Sequence, residues 1–191
     1  TFRAASPGVA GAKSRPAYRG RIEQVAGALP ELTAPPAAAE RPAVAVADFY
    51  AHHTFHGPLL QGIVSIQEVG ESHVRGVVRT AEPAHLVPGA RGFAVDPLLI
   101  DASFQLAAYW AFVRHGRAGL PLGLGEYRPQ PALSLLPPGS EVHCLLRLER
   151  SAGDLFVGHI DYRDEQGRLV AQLRGVQGSL PAVTAAAAPS R

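Results

Sequence analysis

The chain has 191 residues, of which 47% are hydrophobic, with a formal charge of +2 and a single cysteine. That length suits one domain with or without linker ends, and the balanced charge with no basic run argues against a nucleic-acid partner. A lone Cys144 excludes an internal disulfide and any multi-cysteine metal site, and the short, broken apolar stretches exclude a spanning helix.

No charged-then-apolar leader is present, so a cytoplasmic protein is expected. The absence of methionine and the Ala/Pro-rich ends predict a piece cut from a larger chain. Residues 1–30 hold one strand-like segment, Ala17 to Glu23, without an obvious partner. It fits the last strand of a preceding unit. Residues 31–45 read as a Pro/Ala linker, residues 46–181 as the organised domain, and residues 182–191 as a tail of linker type.

Within that domain Asp48 to His53 predicts a short helical turn, and Gly57-Pro58 breaks the chain. Leu59 to Val69 and His73 to Thr80 read as two strands joined at Gly70-Glu71-Ser72. Residues 81–94, with Pro83, Pro88, Gly89 and Gly92, predict a loop. A helix follows: Asp96 suits its N-cap, Pro97 its first position, and His115-Gly116 its stop. It is apolar on nearly every face and is expected to be buried all round. Leu122 to Tyr127 is a further candidate strand. Val142 to Glu149 mostly alternates, and Leu155 to Tyr162 and Leu169 to Val176 complete a meander with hairpin-like turns. Five or six antiparallel strands with one greasy helix predict an α+β hotdog fold, a sheet wrapped around a long central helix.

Asp101 and Gln105 lie four apart on that helix and so share a face. A carboxylate there is expected to sit in low dielectric with a raised pKa, neutral at pH 7 and able to donate a proton. Gln105 is placed to fix its rotamer. The pair suits general acid catalysis, such as protonating a departing hydroxyl. The plain alternative is an Asp101 that ties down the preceding loop, with Gln105 a buried spacer.

The segment His52 to Ile63 holds three histidines, but no second ligand cluster accompanies them, and a metal site is not the reading taken. His56, before Gly57-Pro58, is expected to point from a rigid turn into a cleft mouth. His52 and His53 are expected to be solvated. Cys144 reads as an inert packing residue. No phosphate-cradling glycine loop is present, so no nucleotide cofactor is expected.

Phe55-His56-Gly57-Pro58-Leu59-Leu60-Gln61-Gly62-Ile63 resembles the "YGP…F…G" segment that opens the second hotdog of polyketide synthase dehydratase domains. Asp96 to Gln105, DPLLIDASFQ, resembles their "HP…LD…Q" helix. The versions here are most similar to dehydratase-like regions of polyunsaturated fatty acid synthases and related megasynthases, over about Val46 to Pro181. The resemblance implies a double hotdog whose first half supplies a histidine base in an H-x3-G-x4-P motif and whose second half supplies the aspartate.

Carried over, Asp101 is that acid, Gln105 its orienting partner, and His56 stands where the family has tyrosine at the pocket entrance. Gly57 and Pro58 share that substrate-binding turn. The implied substrate is a 3-hydroxyacyl chain on an acyl carrier protein, and the product is a 2-enoyl thioester. No cofactor is implied in the domain beyond the phosphopantetheine on the carrier. Other megasynthase domains are the implied partners.

The chain lacks an H-x3-G-x4-P motif. Three readings follow: a base from an absent first half, a base from a partner copy, or a noncatalytic module that holds acyl chains. His56 is a substitute base in a further variant. A product-template-type cyclase of the same fold is a rival. Because hotdogs pair through their sheets, a homodimer or pairing with another half is expected.

Overall fold

The computed structural model describes residues 29–33, 42, 44–93, 95–117 and 119–180, together with two short strands, β1 (Phe2–Arg3) and β2 (Pro16–Tyr18). These two pair antiparallel with each other, so the strand-like segment at Tyr18 finds its neighbour near the start of the chain. The rest of Ala17 to Glu23, most of the linker and the tail lie outside the described residues.

Helix α1 (Val46–His52) comes first in the main body, followed by a 3-10 turn (Pro58–Leu60), β3 (Ile63–Val69) and β4 (His73–Arg79). The short α2 (Pro83–Leu86) precedes the long α3 (Pro97–His115). Strand β5 (Leu120–Pro129), a second 3-10 turn (Pro131–Leu135), β6 (Glu141–Ala152), β7 (Leu155–Arg163) and β8 (Leu169–Ser179) complete the domain. Six strands form one sheet in the order β3-β4-β6-β7-β8-β5, and every neighbouring pair is antiparallel. The sheet curls over α3, which packs against five of its strands. This is the hotdog arrangement expected from the sequence.

The ends of α3 follow from local chemistry. Asp96 Oδ1 accepts from the backbone N–H of Leu98 (2.9 Å) and Leu99 (3.0 Å), satisfying two donors that the first turn would otherwise leave bare. Its Oδ2 accepts from Ala81 N at 2.9 Å and so ties in the loop before the helix. That tie belongs to Asp96, which leaves Asp101 free of it. Gly116 ends the helix at φ 68°, a conformation that suits glycine.

Leu99, Leu106, Tyr109 and Ala111 are wholly buried against Val74, Leu146, Ile160 and Leu173 of the sheet. Each such leucine contributes roughly 1.5–3 kcal/mol by leaving water. Trp110 is also buried, and its indole N–H donates to Glu71 O at 3.1 Å, pinning the β3–β4 turn to the helix.

Three expectations need correction. Leu59 and Leu60 belong to the 3-10 turn and not to a strand. Pro58 opens that turn, and pairing starts only at Ile63. The loop at 81–94 holds one helical turn, opened by Pro83. The helix is not covered on every side: Asp101, Phe104, Ala108 and Phe112 form a half-buried stripe. The sheet cannot close over this stripe, because the 53–56 loop and the start of β5 lie against it instead.

Residues 29–33 cross the outer face of the sheet. The Gln172 carboxamide pairs with Leu29 twice, accepting from its N–H at 2.7 Å and donating to its carbonyl at 3.0 Å. Asp161 accepts from Leu32 N at 2.8 Å, and Arg174 donates to Pro30 O at 2.8 Å. Asp161 and Gln172 are thereby buried although they point away from the core.

Candidate active site

The site is built on the second turn of α3. Gln105 is 1% exposed, and its whole carboxamide is used. Nε2 donates to Asp101 Oδ2 (2.6 Å) and to Leu60 O (2.7 Å). Oε1 accepts from Gly62 N (3.1 Å) and from the Tyr50 hydroxyl, which itself accepts from Ile63 N at 2.8 Å. One glutamine therefore joins α1, the 58–60 turn, β3 and the aspartate. Burial pushes the Tyr50 hydroxyl up to about 12, so it stays protonated and remains a donor.

Gly62 must come close to α3 for this to work. A Cβ there would lie 2.9 Å from Ala102 Cβ. The glycine of the Gln61-Gly62 pair is thus a steric requirement, whereas Gly57 faces open space.

His56 reaches the same carboxylate from the other side, with Nε2 3.3 Å from Asp101 Oδ2. Its Nδ1 lies 2.6 Å from Thr54 Oγ1, which also accepts from His56 N at 3.0 Å. When the threonine hydroxyl donates to Nδ1, the ring proton sits on Nε2 and faces Asp101. Phe55, 80% exposed, stacks on the His56 ring.

Burial of Asp101 pushes its carboxyl up, but hydrogen bonds from His56 and Gln105 and the charge of His56 outweigh it. The net shift is downward from 3.8. This corrects the expectation of a neutral acid: two donors aimed at the charged form beat partial desolvation, since the side chain keeps 36% of its exposure. The resting group is a carboxylate.

Asp101, Thr54, His56, Phe104 and Ala108 line a cavity of about 100 Å³, closed on its far side by Gly119, Leu120 and Pro121. At roughly 30 Å³ per water, it holds about three water-sized groups. The structure therefore brings Asp101, Gln105 and His56 together. Gly57 and Pro58 form the exposed turn beside them and do not line the cavity. His53 is not solvated: its ring stacks on Phe112 at 3.8 Å. Sequence reasoning missed Tyr50 and Thr54. Neither lies in a motif; the fold carries Tyr50 to Gln105, whereas Thr54 meets His56 locally, two positions along the same loop.

The family described as "Polyketide synthase dehydratase N-terminal domain" matches residues 28–186. The chain belongs to the polyketide synthase dehydratase family. Solved structures share its fold. The dehydratase domain of RzxB from Pseudomonas fluorescens is 20% identical at a TM-score of 0.50, covering 65% of this chain and 42% of that one. GphF Dehydratase 1 is 23% identical at 0.53, covering 72% and 51%. A bifunctional dehydratase-cyclase domain in ambruticin biosynthesis is 19% identical at 0.54, covering 78% and 50%. This dehydratase-family chain thus spans about half the length of the structures it matches. No curated protein sequence is significantly similar to it. No helix among the described residues is long and apolar enough to cross a membrane.

Proposed function

We propose that this chain is one hotdog half of a dehydratase that removes water from a 3-hydroxyacyl thioester on an acyl carrier protein, leaving a 2-enoyl thioester. The observation that carries this reading is the Asp101 carboxylate, anchored by Gln105 and opening onto a cavity beside His56. The DASFQ helix and HGP turn favour the second half, whatever position the family description names. The host is a polyketide or polyunsaturated fatty acid synthase in the cytoplasm.

Asp101 has to take up a proton before it can protonate the leaving hydroxyl. An acyl chain that fills the cavity displaces water and parts His56 from the carboxylate, and both changes drive the pKa up. Gln105 holds the carboxyl rotamer meanwhile. The cavity accommodates only the reacting carbons and hydroxyl. The rest of the acyl chain and the carrier's phosphopantetheine arm would pass the exposed rim at Phe55 and Leu120. Phe55, Leu59, Leu60, Leu120 and Leu122 are all exposed, which favours a second hotdog half or another copy against this side. The domain itself needs no metal or organic cofactor for this chemistry.

The test is water loss from a 3-hydroxyacyl carrier protein or N-acetylcysteamine thioester, followed by mass spectrometry, with and without upstream sequence. Turnover that vanishes in Asp101→Asn supports the acid role. A second reading, a noncatalytic module that holds acyl chains, is favoured by the ionised state of Asp101, whose carboxyl His56 and Gln105 hold below its ordinary 3.8. It predicts equal background in both proteins.

A further inference from the structure

We propose that the outer face of the sheet is an exchangeable docking site for an extended peptide, and that residues 29–33 are the ligand it holds in this chain. The dehydratase reading assigns nothing to this face, and the inference does not depend on it.

The site reads main chain. Gln172 of β8 takes both the N–H and the carbonyl of Leu29, at 2.7 and 3.0 Å. Arg174, also of β8, donates to Pro30 O at 2.8 Å. Asp161 of β7 accepts from Leu32 N at 2.8 Å, and Arg147 of β6 donates to Thr33 O at 3.1 Å. Adjacent strands β8, β7 and β6 thus take successive residues of one segment. Arg163 adds an ion pair with Glu31. The ligand class is an extended peptide with a carboxylate at its middle position.

The receiving groups are also tied to one another. Arg174 Nη1 donates to the carbonyls of Ile160 (3.0 Å) and Leu173 (2.9 Å), and its Nη2 to Asp161 Oδ1 at 2.8 Å. Gln172 Nε2 donates to the same Asp161 oxygen at 3.2 Å. A bulge sits beside Arg174: Gly175, at φ 67°, is the extra residue of β8 where its register with β7 shifts, and its N–H donates to His159 Nδ1 at 3.2 Å.

What the segment covers makes it exchangeable. Beneath it lie Asp161, Gln172 and Arg174, whereas Val74, Leu146, Ile160 and Leu173 belong to the core around α3. Lifting the segment uncovers mainly hydrogen-bonding groups, and water replaces most of the bonds that are lost. The face therefore holds its segment by a modest net difference and accepts another with the same backbone pattern.

The experiment uses the full 191-residue chain. The triple variant Leu29→Pro, Glu31→Lys, Leu32→Pro withdraws two N–H donors and the carboxylate, with circular dichroism as the folding check. A synthetic peptide of residues 28–34, capped at both ends, is titrated into it and followed by NMR shifts of β7 and β8 amides. Saturable binding with a dissociation constant below about 1 mM is expected. Binding should weaken at least about tenfold when Gln172→Ala is added, and likewise when the peptide is N-methylated at Leu29 and Leu32. The unaltered chain should resist the peptide, because its own segment competes at high effective concentration. No saturation by about 5 mM, or equal binding after Gln172→Ala, overturns the proposal. If the triple variant does not fold, amide exchange in the unaltered chain decides. Leu29 and Leu32 amides exchanging at least about tenfold faster than the slowest amides of α3 support a segment that lifts independently. Exchange at the same rate as α3 makes the segment part of the cooperative core and overturns it.

Discussion

Gln105 sits one helical turn beyond Asp101 and donates to its Oδ2 at 2.6 Å, while the other end of the same carboxamide takes the Gly62 N–H and the Tyr50 hydroxyl. The residue that orients the candidate acid is therefore also the one that locks α1 and β3 onto α3.

Replacing Gln105 with leucine should act on both roles. It strands Leu60 O, Gly62 N and the Tyr50 hydroxyl in a buried place, and each orphaned group costs about 1–3 kcal/mol before relaxation. A net loss of roughly 2–4 kcal/mol is expected in urea denaturation. The Asp101 carboxyl should titrate higher by NMR, having lost one donor to its charged form.

Asp101→Asn should leave the fold intact. An asparagine oxygen accepts from Gln105 and His56 as the carboxylate does, and the stability change should stay under about 1 kcal/mol. The pH dependence will differ. The folded Asp101 value lies below its ordinary 3.8, so its contribution is fully present above about pH 4 and is lost as pH falls through the lowered folded value. The variant should lack that acid-side loss in stability measured from pH 6 to pH 2.

Gly62→Ala places a methyl 2.9 Å from Ala102 Cβ, and both are fixed to backbone. The cost should be about 1–3 kcal/mol. Ala102→Gly in the same protein should relieve the clash, so a double-mutant cycle should show a coupling of at least about 0.5 kcal/mol. Additive effects would mean that the two positions do not meet.

Gln172→Ala removes the paired hydrogen bonds to Leu29 on the outer face. Faster amide exchange at Leu29 and Leu32, and faster proteolysis near residues 29–33, are the expected results. Amides inside α3 should be unaffected, because that helix is buried on the opposite face of the sheet.

Much of this protein is set by local sequence. The N-cap at Asp96, the stop at Gly116 and the alternation in β6, β7 and β8 follow from rules that act over a few residues, and they specify a helix among antiparallel strands. The i, i+4 spacing alone put Asp101 beside Gln105. Distant contacts decided the rest. Asp101 is ionised because His56, from a loop 45 positions earlier in the chain, donates to it along with Gln105, and no composition or periodicity encodes that meeting. Tyr50 and the Gln172 clamp on residues 29–33 are likewise invisible in sequence, since their polar atoms acquire meaning only when the curled sheet brings remote groups within hydrogen-bond reach.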